Sequence, residues 1–173
     1  MNETMRTIFS RKSVRNYTGD SISKETLELL VKAGMAAPSA RDKRPWEFII
    51  IDDKEILEKL SQALPYAKMT AEAGHGIVVA GNLEKQNRPP DSPYWIMDCS
   101  AAVQNILLAA ESLGLGTVWT AIYPNEERIE PVSRLLNLPE NIAPLALIPI
   151  GKPKSSEGPK EKFNEAQIHW NKW

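Results

Sequence analysis

Ten residues near the N-terminus, "IFSRKSVRNY" (8–17), place Arg11, Lys12, Ser13 and Arg15 within five positions. The chain as a whole carries a net charge of only −1. Such a local excess of cations is met by an anion or by solvent. Arginine offers a planar fork of N–H donors, lysine a point charge and serine a hydroxyl, a set that suits the oxygens of a phosphate. Two further segments extend the pattern. "APSARDKRPW" (37–46) is turn-rich and lies between a helical and an extended segment, where binding loops often sit. "IGKP" (150–153) puts another cation just beyond a strand. The bland alternative is a solvated helix end whose cations complement the helix dipole.

Other chemistries find less support. Gly114-Leu115-Gly116 begins like a dinucleotide fingerprint, but position 119 is Trp. The order, helix then strand, also reverses that motif, so a helix end and turn is expected. Cys99 lies between Asp98 and Ser100 in a helical stretch with no histidine nearby to act as its base, and reads as a buried structural thiol. His75 reads as a loop or strand-edge residue, and His169 as a packing residue of the aromatic tail. One cysteine and two histidines make neither an intrachain disulfide nor a zinc site.

The bulk numbers agree with a small-molecule site. A chain of 173 residues suits one domain. With 42% apolar and 25% charged residues it has an ordinary globular composition. Its near-neutral balance argues against a general nucleic-acid or membrane-surface binder. The first residues show no apolar signal core and no apolar run reaches about 18 residues, so the expectation is a cytoplasmic protein.

The elements that must position these residues are legible from period and punctuation. A short helix is expected over 3–10. A second follows Ser23, with Leu27, Leu30, Val31 and Gly34 on one face and Pro38 beyond its end. "WEFIIID" (46–52) reads as a buried strand and Asp53 as the cap of a helix reaching Leu64. Strands are expected over 76–82, 117–123 and 144–151, and a helix over 125–137 despite Pro131. Residues 83–93 read as a polar, Pro-rich loop and a candidate for mobility. The stretch from Tyr94 to Gly116 is apolar on most faces of a helix, which suggests burial against a partner subunit. The tail 153–173 is polar yet holds Phe163, Ile168, Trp170 and Trp173, and reads as an arm that docks on another surface.

Taken in order, "SRKSVRNY", "AAPSARDKRPWEF", "DCSAAVQNILLAAESLGLGTVW", "IPIGKP" and "KFNEAQIHWNKW" resemble the nitroreductase-like family of FMN-dependent oxidoreductases in its small single-domain form. The resemblance covers nearly the whole chain. It implies an α+β three-layer sandwich, a central mixed sheet flanked by helices, with the C-terminal arm exchanged in an intertwined homodimer. It implies FMN at the dimer interface and NADH or NADPH as electron donor. Nitroaromatics or quinones are the implied acceptors, reduced by a ping-pong mechanism. Other flavin reactions on the same scaffold, and a non-catalytic flavin-binding protein, are the alternatives.

Carried over by position, the resemblance puts Arg11, Ser13 and Lys12 at the FMN phosphate and Arg15 near the N1–O2 edge of the ring. A cation there would stabilise the reduced flavin. Pro38, Ser39, Ala40 and Asp42 would reach the flavin from the other subunit. Thr120, Ala121 and Ile122 would pass beside the ring. Gly151, Lys152 and Lys162 would return to the phosphate. Tyr66, Met69 and the 83–95 loop with Trp95 would shape the substrate face. No side chain is expected to act as acid, base or nucleophile. Three positions depart from the family pattern: Asp42 stands where Asn is common, Arg44 where Gln is common, and Lys162 where Arg is frequent, giving a weaker fork on the phosphate. An ionised Asp only accepts hydrogen bonds and would oppose negative charge on the ring unless Arg44 neutralises it.

Overall fold

The computed structural model describes residues 1–86, 94–155 and 158–173. Its helices are α1 (Glu3–Ser10), α2 (Lys24–Met35), α3 (Lys54–Ala63), α4 (Thr70–Ala73), α5 (Tyr94–Ser112) and α6 (Glu126–Leu135). Its strands are β1 (Trp46–Ile51), β2 (His75–Asn82), β3 (Gly116–Thr117), β4 (Thr120–Ala121) and β5 (Ile142–Gly151). The helix starts follow from capping chemistry. Asn2, Ser23, Asp53 and Asn125 each accept a first-turn N–H with a side-chain oxygen.

The sheet runs β1-β2-β5-β3, with β4 also paired to β5. All named pairs are antiparallel. The expected mixed character comes from an isolated parallel bridge between Ser13 and Thr117. Successive strand side chains alternate between two cores, as the period of two requires. Trp46, Ile77, Val79, Ile148 and Ile150 face α2 and α5. Ile51, Val78 and Leu147 face α3 and α6, with Leu57, Leu60 and Val132. Helices on both faces make the three-layer sandwich.

Two expectations need correction, on the third strand and on Trp95. The strand expected over 117–123 is two short pieces on one edge of β5 in a single register, Thr117 opposite Ile150 and Thr120 opposite Leu147, with Val118 and Trp119 between them outside the ladder. Much of the apolar circumference of α5 is used within the protomer. Trp95, Cys99, Ala102, Val103, Ile106 and Ala110 pack into the α2-side core. Met97 remains exposed, and Ala101, Leu108 and Ala109 half-buried. Trp95 is buried, edge-on to Tyr123 at 4.9 Å between ring centres, so it is core and not a substrate wall. The part of the expected mobile loop at 87–93 lies outside the described residues.

The tail is open to solvent along its described length. Every described residue from Gly158 to Trp173 is exposed. Trp170 keeps 85% of its surface and Trp173 all of it. His169 stacks on Trp173 at 4.2 Å, the packing role expected of it. No helix among the described residues is long and apolar enough to cross a membrane.

Candidate active site: a basic cleft joined to an aromatic one

The basic segment leaves α1 at Arg11 and is stitched on both sides. Val14 N–H donates to the Thr117 carbonyl at 2.9 Å. Thr18 N–H donates to the Lys152 carbonyl at 2.9 Å, and Lys154 N–H to that of Asn16 at 3.0 Å. Beneath it, Tyr17 is fully buried and its hydroxyl donates to the Val14 carbonyl at 2.6 Å. Burial pushes the Tyr17 phenol far above its ordinary value, so it remains a donor. Two glycines make this close approach possible. A Cβ on Gly116 would lie 2.7 Å from Val14 Cγ1, and one on Gly151 would lie 2.8 Å from both the Ala73 carbonyl oxygen and Tyr17 Cδ1.

Held this way, Arg11, Lys12, Ser13 and Arg15 line a cleft of about 320 Å³, joined there by Lys160 and Lys162 from the arm. Lys12 is the one cation among these with an ion-pair partner, Glu111 at 4.0 Å; the others have none among the described residues. The donor set is a ring of cations with the hydroxyls of Ser13 and Ser155 and the amide of Asn16, and no carboxylate lines the cleft among the described residues. That chemistry fits a phosphate monoester, and the fit is with this structure's own residues.

Arg15 also lines a second cleft of about 460 Å³, with Tyr66, Lys68, Met69, Trp119, Thr120, Ala121 and Arg128. Both volumes fall in the small-molecule range of about 300–1,000 Å³. The two clefts therefore meet at one guanidinium, a cationic end and a flatter end with exposed aromatic rings. Tyr66 and Met69, expected to shape the substrate face, line this second cleft.

Several expected site residues lie elsewhere in the protomer. Ile122 is fully buried in the α3–α6 core, its N–H held by the Leu145 carbonyl. Gly151 is covered by Tyr17 and Ala73, so its missing side chain serves packing. Lys152 turns to Asp20 at 3.4 Å. Both follow from the pairing of Gly116 with Gly151, which closes the sheet there. Thr120 does line the second cleft, but its hydroxyl donates to the Leu147 carbonyl at 2.7 Å and so can only accept a hydrogen bond from a ligand.

Pro38, Ser39, Ala40 and Asp42 line neither cleft. Their loop is nevertheless built with care. Arg41, Asp42 and Arg44 all have left-handed φ, at 53°, 54° and 49°. Such values are uncommon for these residue types and concentrate at functional sites. Buried Asp98 accepts the Ala40 N–H at 2.8 Å and anchors the loop to α5. Arg44 grips Asp42 with two bonds, Nε to Oδ1 at 2.7 Å and Nη2 to Oδ2 at 2.6 Å. Those bonds hold the Asp42 carboxyl below its ordinary range.

Cys99 is buried against the Ala80 carbonyl at 3.5 Å, and burial pushes its thiol up to about 12. It is the structural thiol expected. His75 is the first residue of β2 and is buried. Sequence reasoning missed Tyr17, Lys160, Lys68 and Arg128. Tyr17 directly follows the basic run and Lys160 lies two residues from Lys162, but Lys68 and Arg128 carried no local signal.

The nitroreductase family profile matches residues 8–65 and 62–152. A solved structure from Parabacteroides distasonis, a candidate NADH dehydrogenase/NAD(P)H nitroreductase, is 51% identical with a TM-score of 0.95 and full coverage of both chains. A protein of Methanothermobacter thermautotrophicus with the same candidate description is 40% identical over 99% of this chain and 88% of its own length. The FMN-dependent nitroreductase of Clostridium difficile superposes at a TM-score of 0.89 with 28% identity, over 98% of this chain and 99% of that one. Sequence match, superposition and a glycine-dependent basic loop along the sheet edge together make this chain a member of the nitroreductase family.

Proposed function

We propose that the protein is an NAD(P)H-dependent FMN oxidoreductase that reduces electron-poor acceptors such as quinones and nitroaromatics. The observation that carries this reading is the pair of clefts meeting at Arg15. FMN, when bound, accepts two electrons as hydride from the nicotinamide and delivers them to the acceptor. Arg11, Ser13, Lys160 and Lys162 hold the phosphate. Arg15 lies where one cation serves both the phosphate end and the ring end, and its charge favours the reduced ring. Trp119 and Tyr66 offer flat surfaces beside that place. A quinone takes up two electrons and two protons to give a hydroquinone. A nitro group takes up the same and releases water to give a nitroso group. Donor and acceptor use the same cleft in turn, which is a ping-pong order.

The active unit of the proposal is a homodimer. The fully exposed tryptophans of the arm dock on a second copy, and the strained 38–44 loop completes that copy's ring site. The exposed Met5, Ile8 and Phe9 of α1 and the open stripe of α5 supply apolar surface for the same contact. Work in a reducing cytoplasm suits a chain whose single cysteine is buried and unpaired.

The deciding experiment is the visible spectrum of the purified protein, followed by identification of the chromophore released on denaturation. About one FMN per chain is expected. Anaerobic NADH or NADPH should bleach it, and menadione should restore it. A flavin that neither nicotinamide reduces would make the protein a flavin binder. A colourless protein that binds no added FMN would return the basic loop to the solvent.

A further inference from the structure

The loop from Ser39 to Arg44 holds most of its hydrogen bonds within itself. The Ser39 carbonyl accepts the Asp42 N–H at 3.0 Å, its hydroxyl accepts the Arg44 N–H at 3.0 Å, and the Ala40 carbonyl accepts the Lys43 N–H at 3.2 Å. Such bonds shape the loop but do not place it on the protein. The Asp42–Arg44 ion pair is local too and lies open to solvent, where a pair contributes little. Among the described residues, one hydrogen bond ties this loop to another element. The Ala40 N–H donates to Asp98 Oδ1 at 2.8 Å, across 58 positions of the chain. Asp98 stands on α5 and is only 7% exposed. Burying a carboxylate is costly, and a lone N–H could be met by a neutral acceptor. A negative charge suits this place because the loop above it carries Arg41, Lys43 and Arg44 against the single acid Asp42. Of those cations, Arg44 alone has an ion-pair partner among the described residues.

From this geometry we infer that Asp98 is the positioning residue of the 38–44 loop, fixing where the Asp42–Arg44 pair stands relative to a flavin ring. The inference rests on the oxidoreductase reading, in which this loop completes the ring site of a second copy. Asp98 lines neither cleft and acts through Ala40. A hydrogen bond to a carboxylate is about twice as strong as one between neutral groups. It holds the loop on α5 against the strain of three left-handed residues, Arg41, Asp42 and Arg44. Without it the loop would shift as a unit, its internal bonds intact, while Arg11, Ser13, Lys160 and Lys162 kept the phosphate end.

Two variants break the bond from opposite sides. Asp98→Ala removes the acceptor. Ala40→Pro removes the donor, and Ser39, at φ −138° and ψ 151°, already has the extended backbone that a following proline requires. Asp98→Asn is the conservative control, since it keeps an acceptor oxygen. Hydrogen exchange followed by NMR on the flavin-free chain should show the Ala40 amide exchanging about tenfold faster in Asp98→Ala, and within about threefold of wild type in Asp98→Asn. In the holoprotein, the midpoint-potential shift caused by Asp42→Asn should fall to less than about half when Asp98→Ala or Ala40→Pro is added, and persist when Asp98→Asn is added. A merely structural role would lower Tm in these variants and leave that shift intact. Equal Ala40 exchange in wild type and Asp98→Ala would overturn the inference. So would an undiminished Asp42→Asn shift in the Asp98→Ala or Ala40→Pro background. An Asp42→Asn substitution without any shift would overturn it as well, because the loop would then lie away from the ring. Should Asp98→Ala fail to fold, Ala40→Pro decides by the same shift. A chain that binds no FMN would overturn the oxidoreductase reading instead, and the exchange comparison would still decide whether Asp98 holds the loop.

Discussion

Tyr17→Phe deletes one oxygen atom from the anchorage of the basic loop. The hydroxyl sits in a fully buried site and donates to the Val14 carbonyl at 2.6 Å. The ring can stay where it is, packed with Val14 and Ala73, so no cavity larger than the hydroxyl opens. The cost is a buried carbonyl left without this donor, about 1–3 kcal/mol and centrally about 2. For a chain of this size each kcal/mol moves Tm by about 2–4 °C, so the expected fall is roughly 6 °C. The assay is far-UV circular dichroism melting of the cofactor-free protein at fixed protomer concentration, because bound ligand and subunit concentration shift apparent stability by mass action. Tyr66→Phe is the control: that ring is exposed, its cation contact survives, and its change should stay within about 0.5 kcal/mol. FMN affinity should fall in Tyr17→Phe, since Ser13 and Arg15 flank the carbonyl that has been released. A Tm within about 1 °C of wild type, together with unchanged FMN affinity, would refute the claim that this bond fixes the loop.

Gly116→Ala should be more damaging at the same place. Its Cβ would fall 2.7 Å from Val14 Cγ1 and 2.8 Å from Val14 Cβ, so the loop must shift; a loss of about 1–3 kcal/mol is expected, read by urea unfolding, with weaker FMN binding. Asp42→Asn should raise the flavin midpoint potential by removing a negative charge, and Arg44→Gln should lower it by releasing Asp42 from its partner; spectroelectrochemistry of the two variants should show opposite signs. Burial holds the His75 pKa below its ordinary value, against the opposing pull of Asp52 and the Ala73 backbone. The unfolded chain therefore binds more protons than the folded one between the depressed value and about 6.5. Stability from this group is complete above about pH 6.5 and is lost as pH falls through the folded value. His75→Gln should flatten the unfolding free energy across that window.

Local patterns carried much of the architecture. Ser23 and Asp53 announce helix starts by side-chain chemistry alone, and both cap as expected. Gly114 ends α5 with φ of 70°, its own N–H and that of Leu115 returning to the Glu111 and Ala110 carbonyls. Strands β2 and β5 are buried on both faces and read as continuous apolar runs, while β1, at the edge of the sheet, is largely apolar but only partly buried. The segment from Gly116 to Tyr123 was less legible, because two paired stretches of two residues each, broken at Val118 and Trp119, are too short to show a period. Trp95 was misread for a related reason. A tryptophan near a polar loop is compatible with a site wall or with the core, and only its contact with Tyr123 and the strand backbone decides.

The candidate site divides along the same line. Sequence alone determined the character of the cationic end. Four residues within five positions cannot be far apart, and residue type sets which ligand oxygens they suit, so Arg11, Lys12, Ser13 and Arg15 needed no fold to be recognised together. It also singled out the tail, since two tryptophans in four residues mark it as unlike an ordinary polar terminus. Tertiary structure decided which distant residues share that end and which do not. Lys160 joins it across more than a hundred positions, while Gly151 and Lys152 are drawn away by strand pairing and by Asp20. It decided too that Lys68 and Arg128 face one cleft with Arg15. Contacts between residues far apart in the chain are set by how the sheet and helices pack, and no local spacing encodes them.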